Sequence, residues 1–343
     1  MSKTSAGRFF EDYTLGEVIP HAVPRTVSGG ERALYHALYP ARHALYSSDE
    51  FARNCGLPAS PLDDLAAFHV VFGKSVPDIS LNAVANLGYA EARWHLPVYA
   101  GDTLRSESEV IGLKQNSSGK TGVVYVRTTG YNQHGAAVMD FVRWVMVRKR
   151  DLDAPAPETV VPRTAPAVAS ADLVVPAGLD FTNYDFALAG EPHRWGDYAV
   201  GEVIDHVDGV TIEEAEHMMA TRLWQNTAKV HFDVTSRPDG KRLIYGGHVI
   251  SMARALTFNG LANAQMIVAI NAGAHANPCF AGDTIRTWSE VIDKTDTAAP
   301  GVGALRLRLV ATKGGPVGAL KGEDGKYLPD VLLDLDYWAL MPS

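Results

Sequence analysis

The sequence is written twice, and no other feature restricts its fold so much. "EDYTLGEVIP" at 11–20 returns as "GDYAVGEVID" at 196–205, an offset of 185. "VYAGDTLRSESEVI" at 98–111 returns as "CFAGDTIRTWSEVI" at 279–292, an offset of 181. The order is kept, the offset drifts by only four residues, and GEVI, AGDT and SEVI match in full. A duplicated unit follows, and whatever one half folds into, the other should fold into as well. Between the copies, residues 151–178 hold five prolines and seven alanines. Proline lacks a backbone donor and fixes φ, so this stretch is expected to run extended between two packed units. The expected division is a first repeat at 1–150, a Pro/Ala-rich linker at 151–190 and a second repeat at 191–343.

Each repeat shows the same succession of patterns. A turn-rich opening with GEVI leads into a helical region, around Arg32, Leu34 and Tyr35 in copy one and Glu213 to Leu223 in copy two. A second, apolar helix is expected over 62–76 and over 246–263. Strands follow. "ALRLRLVAT" at 304–312 alternates leucine with arginine, the period-2 signature of a half-buried strand. Residues 137–150 and 331–341 are rich in β-branched and aromatic side chains. "YNQHG" at 131–135 reads as a hairpin tip, and a longer Gly-rich loop at 313–329 takes its place in copy two. One long helix followed by an antiparallel sheet, repeated once, is an α+β plan.

Composition narrows the function classes. With 46% apolar and 20% charged residues, 343 residues suffice for a full core. A net charge of -8 with no long basic run argues against a nucleic-acid partner. No segment approaches the roughly 18 consecutive apolar residues of a membrane span. The start lacks the basic-then-apolar order of a signal peptide, so a cytoplasmic location is expected. Cys55 and Cys279 are far apart and lack metal-ligand spacing, which reads as two buried thiols and no metal site.

The chemistry gathers in copy two. "QNTAKVHFD" at 225–233 places His231 five residues after Asn226 and two before Asp233. Carried back by 185, these positions fall on Tyr46, Ala41 and Ser48, none of which ionises near neutral pH. A structural need would be shared by both copies, whereas polar groups in one copy only point to a site. From spacing alone His231 remains either a base or a histidine bonded to a backbone carbonyl. Downstream, "LIYGGHVISMARA" at 243–255 puts Gly246 and Gly247 at the start of an apolar helix, where copy one has Leu62 and Asp63 nearby. Glycine allows close approach to the backbone, and a helix start offers free N–H donors suited to a polarised carbonyl. A plain turn is the alternative for the glycine pair.

These residues resemble the MaoC-like (R)-specific enoyl-CoA hydratases. Their G-D-x-N-P-L-H-x-D element is matched by Gln225 to Asp233, their His-Gly-Met helix start by Tyr245-Gly246-Gly247, and their P-x-x-x-G-D-T-L strand entry by Pro97 to Leu104 and again by Pro278 to Ile285. The third element is common to hotdog proteins at large; the first two are more specific. The resemblance spans nearly the whole chain and implies a double hotdog fold, each long helix wrapped by an antiparallel sheet. It also implies reversible addition of water across an enoyl-CoA double bond. Carried over, His231 becomes general base and acid, Gly246 the oxyanion donor, and Asp233 a support for the imidazole, with Tyr245 and Gly247 beside the substrate. No cofactor is implied, CoA being part of the substrate, and a homodimer is possible.

Asn226 departs from the family, which has aspartate there. An amide cannot take a proton at neutral pH but can orient a water, and a neutral imidazole can act as base alone. An amide would also tolerate a dicarboxylic acyl group that a carboxylate would repel. Arg222 and Arg254 are the expected partners of such a substrate carboxylate, each alternatively a solvated surface arginine. His248 could line the pocket or cap the helix. His275 and His95 read as structural, Asp102 and Asp283 as turn residues, and Asp63 and Asp64 as a helix start. A thioesterase on the same fold and a non-catalytic acyl-CoA binder are the competing readings.

Overall fold

In the computed structural model, residues 3–314 and 318–343 are described. Copy one runs β1 (Val18–Thr26), α1 (Gly29–Leu38), α2 (Ala44–Ser47), α3 (Asp49–Asn54), α4 (Asp64–Ser75), β2 (Ala83–Trp94), β3 (Thr103–Gln115), β4 (Thr121–Tyr131) and β5 (Ala137–Arg148). After a short α5 (Phe186–Ala189), copy two runs β6 (Val203–Thr211), α6 (Glu214–Leu223), α7 (Lys229–Phe232), α8 (Gly246–Leu256), α9 (Phe258–Leu261), β7 (Met266–His275), β8 (Thr284–Asp296), β9 (Val302–Lys313) and β10 (Val331–Pro342).

The strands form one ten-stranded sheet in the order β1-β3-β4-β5-β2-β7-β10-β9-β8-β6. Read inward from either end, the order is the same pattern, and the halves meet where β2 pairs antiparallel with β7, Gly88 opposite Ala274 and Ala92 opposite Ile270. Duplication thus produces an approximate two-fold axis through the centre of the sheet. The alternation in β9 is realised as expected. Leu305, Leu307 and Leu309 are fully buried, while Arg306 and Arg308 reach diagonally on the other face to Asp336 and Asp334 of β10, with closest approaches of 2.6 and 2.7 Å.

The sheet wraps α4 and α8. Every residue of α4 is buried, Lys74 and His69 included, and α8 is buried from Gly247 onward. Phe68 and Phe72 of α4, Val249 and Ile250 of α8, and the three β9 leucines belong to one continuous apolar core. A helix apolar all round is what a wrapped position requires. The single helix expected over 246–263 is not continuous: α8 ends at Leu256, and within α9 Asn259 (ψ 99°) and Gly260 (φ 99°) leave helical geometry. The 151–178 stretch is extended but not loose: Val160 bridges to Leu113, and Val168, itself buried, donates to Asn271 Oδ1 at 2.8 Å and accepts from Trp338 Nε1 at 3.2 Å. The long loop expected at 313–329 includes residues 315–317, which lie outside those described.

Candidate active site

The two copies superimpose at their short helices. α2 follows His43 and α7 follows Ala228, an offset of 185, so His231 does stand opposite Tyr46. The caps of α4 and α8 are Asp63 and Tyr245, an offset of 182, so Gly246 and Gly247 stand opposite Asp64 and Leu65, slightly beyond the Leu62 and Asp63 expected.

His231, Asn226, Tyr245 and Gly246 line one cavity of about 400 Å³. The size suits an acyl group with part of its carrier. His231 sits on the single turn of α7, half-buried, with its ring 5.8 Å from that of Tyr245. Its Nδ1 lies 2.7 Å from the Leu243 carbonyl oxygen. A carbonyl only accepts, so Nδ1 carries the proton and Nε2 keeps its lone pair. Burial pushes the imidazole pKa down to about 4, opposed by the Leu243 bond and helped by the Arg237 cation. His231 is therefore a neutral base of defined tautomer.

Asn226 is 1% exposed, and its Oδ1 accepts the Ala228 N–H at 3.3 Å. Its Nδ2 makes no bond among the described residues, so the group left for a cavity occupant is a donor. The Tyr245 N–H, next to the helix start, donates to His217 Nε2 at 2.9 Å. Gly246 N–H is then the first backbone donor of α8 without a protein acceptor among the described residues, and it faces the positive end of the helix dipole. A Cβ at Gly246 would lie 2.3 Å from His275 Cε1, which explains glycine here. Gly247 is buried behind, where a Cβ would strike the Tyr245 ring at 2.4 Å; it supports the turn and is not a wall of the cavity.

Besides Gly247, three expectations about site residues need correction. Asp233 does not hold the imidazole. As the residue ending α7 it points to solvent and accepts from Thr235 N at 2.9 Å and Thr235 Oγ1 at 2.8 Å, and the Leu243 carbonyl does the orienting instead. Arg222 is exposed on α6 and is not part of the cavity. Arg254 is buried, but at the far end of α8, where it donates to Thr257 Oγ1 at 2.5 Å and to the carbonyls of Ala264 and Gln265.

Among the residues left open, His248 lies outside the cavity, with Nδ1 3.1 Å from Tyr39 Oη and Nε2 3.5 Å from Glu216. His95 pairs with Asp140 at 2.6 Å. Asp102 and Asp283 each accept a backbone N–H three residues back, from Tyr99 at 2.8 Å and Phe280 at 2.9 Å, the turn role expected of them. Cys55 and Cys279 are buried free thiols.

Several functional positions escaped the sequence. His275, read as structural, closes the cavity beside Gly246; Nε2 lies 3.2 Å from Tyr89 Oη, and burial lowers its pKa to about 4. The asymmetry that marked His231 also marks it, because at the offset of 181 copy one has Trp94. Phe72, Asn86, Tyr89 and Arg143 form the opposite wall, and all belong to copy one. The cavity is composite: copy two brings the His231 motif and helix start, and copy one brings the facing wall.

The matching place in copy one is closed by its own side chains. Tyr46 Oη donates to the Asp64 carboxyl, which also accepts the Ile267 N–H at 2.7 Å, all of it buried. The positions equivalent to His231 and Gly246 thus bond to each other. Asp64 is more than the helix start expected of it: burial, with Asp63 beside it, pushes its pKa well above the usual carboxylate range.

Two sheet-wrapped helices in tandem, with one open histidine site and one closed, define a double hotdog protein of the MaoC-like dehydratase type. A structure from Chloroflexus aurantiacus described as a MaoC domain dehydratase superimposes with a TM-score of 0.96 at 56% identity, covering 100% of this chain and 99% of that one. A Mycobacterium tuberculosis protein described as a double hotdog fold does so at 0.75 with 26% identity, covering 98% of each. This chain belongs to the mesaconyl-CoA hydratase family, whose model matches residues 2–317. It is 77% identical over 341 residues, 99% of each chain, to the mesaconyl-CoA hydratase of Cereibacter sphaeroides. It is 57% identical over 349 aligned positions, again 99% of each, to the beta-methylmalyl-CoA dehydratase of Chloroflexus aurantiacus.

Proposed function

We propose that this protein is a hydro-lyase that interconverts mesaconyl-CoA plus water with β-methylmalyl-CoA, using the copy-two site. The 77% identity to a mesaconyl-CoA hydratase over 99% of both chains carries this reading. The cavity supports it with groups suited to the chemistry. Gly246 N–H bonds the thioester oxygen and stabilises the enolate that forms as water adds. His231 Nε2 takes a proton from the water as its oxygen bonds to the β-carbon, and the resulting imidazolium returns that proton to the α-carbon. Base and acid are then one residue, and the ring ends in the tautomer in which it began. Asn226 Nδ2 bonds the oxygen of the water or product hydroxyl and holds it beside Nε2. The reading divides the labour between a supporting repeat at 1–150, a linker at 151–190 and a catalytic repeat at 191–343.

Purified protein mixed with mesaconyl-CoA and a thiol reagent tests this. Loss of enoyl absorbance without thiol release is the expected result, and stoichiometric thiol release would make the protein a thioesterase. His231→Ala should lose at least about 100-fold in kcat, the low end of general acid–base contributions. A variant retaining most of the wild-type rate would remove His231 from the mechanism.

A further inference from the structure

Thirty-nine Asp and Glu give this chain a net charge of -8, yet none of them lines the active-site cavity. Its ionic residues are two arginines, Arg143 and Arg237. Arg237 is half-buried and held by Asp239, with Nη2 2.6 Å and Nε 3.1 Å from the carboxylate oxygens. Arg143 is different. It is 0% exposed, and none of the ion pairs among the described residues includes it. Its guanidinium donates to Ser75 Oγ at 2.7 Å and Ser80 Oγ at 3.4 Å, and stacks 4.3 Å from the centre of the Phe72 ring. Nε has no hydrogen-bond partner among the described residues. The ionisable neighbours that act on it are the phenols of Tyr89, Tyr245 and Tyr13, which burial keeps uncharged at neutral pH.

We propose that Arg143 is the specificity-determining residue that binds the free carboxylate of the acyl group. A buried guanidinium without an anion is costly, and proteins retain one where an anion arrives with the ligand. Burial lowers its pKa to about 10, which still leaves it charged at neutral pH. The guanidinium fork suits a carboxylate, which it can bind through two parallel bonds. Position agrees: β2–β5 pairing sets Tyr89 opposite Arg143, Phe72 lies 5.5 Å from Tyr245, and Tyr245 lies 5.8 Å from His231. A short acyl chain clamped at Arg143 thus shares one small cavity with the base. Asn86 lies on the same wall, and its shielded amide nitrogen and oxygen have no partner among the described residues.

This inference rests on the hydratase reading, which the wild-type assay on mesaconyl-CoA tests by itself. Given an active wild type, Arg143→Met and Arg143→Lys are assayed on mesaconyl-CoA and on crotonyl-CoA, which lacks the second carboxylate. Arg143→Met should lose about 30- to 1,000-fold in kcat/KM on mesaconyl-CoA, as for truncation of one partner of a buried charge pair, and change less than about 3-fold on crotonyl-CoA. Arg143→Lys keeps the charge without the fork and should show an intermediate preference. Thermal unfolding separates anchoring from architecture: removal of an unpaired buried charge should leave the melting temperature of Arg143→Met unchanged or raised. Equal losses on both substrates, or an unchanged preference in a folded variant, would overturn the assignment. Should Arg143→Met fail to fold, an unaltered preference in Arg143→Lys would overturn it alone.

Discussion

The acid limb of the activity profile is where the geometry of His231 makes its sharpest demand. With a pKa of about 4, set first by burial, the imidazole is ~97% neutral at pH 5.5, whereas an ordinary histidine near 6.5 would be only ~9% neutral there. If His231 Nε2 is the base, kcat/KM on mesaconyl-CoA should stay within about 2-fold from pH 8 to pH 5.5 and fall only as pH approaches 4. Loss of about ten-fold between pH 7 and 5.5 would refute the claim that burial controls this base. Arg237→Met probes the smaller contribution beside burial: removing the cation that lowers the pKa should move the acid limb upward. The melting temperature must be followed at each pH, for a reason of sign. His217 and His206 are buried and His275 is half-buried, and desolvation holds them at about 2, 4 and 4. Between those values and 6.5 the unfolded chain binds more protons than the folded one, so stability falls as pH falls through that window. A drop in rate that parallels unfolding reports the fold; a drop in protein that remains folded reports His231.

Other substitutions probe the remaining parts. Gly246→Ala forces a Cβ to within 2.3 Å of the His275 ring and should displace the oxyanion donor, with kcat reduced about 10²- to 10³-fold in a protein that still folds. Tyr46→Phe removes the hydroxyl donor from buried Asp64; it should cost about 1–3 kcal/mol of stability in denaturant titrations while leaving kcat within about 2-fold. Asp233→Ala should leave kcat and KM within about 2-fold in the same steady-state assay, since the carboxylate serves only the Thr235 turn.

What could be read from the sequence depended on how far apart in the chain the cooperating residues lie. GEVI and AGDT repeat within contiguous segments, so the duplicated architecture was visible without knowledge of any contact. The same holds for His231, Asn226 and the Gly246 helix start, which fall within about twenty residues and follow a local pattern. Asp233 is close to His231 in sequence but not in space: two residues make about half a helical turn, which carries its side chain to the side away from the imidazole. The true partner, the Leu243 carbonyl, is a backbone atom and leaves no mark in residue identity. Arg254 misled for a related reason, since 3.6 residues per turn over α8 carry it a full helix length from Gly246. Arg143 was out of reach because β5 of copy one meets the copy-two motif only through the folding of the joined sheet.

The closed copy-one site bears on why the protein keeps two unlike repeats. A single hotdog unit with the His231 motif would have half a cavity, because Phe72, Asn86, Tyr89 and Arg143 come from the other unit. In two identical units each would have to serve as both catalyst and wall, and any change made for one role would appear in the other. Fusion removes that constraint. In copy one Tyr46 stands at the histidine position and Asp64 at the glycine position, and the two bond to each other. Copy one also contributes the one buried arginine of the remaining cavity; a second such charge in a second open site would add its own desolvation cost. If Arg143 binds the substrate carboxylate as proposed, copy one takes part in selecting the substrate.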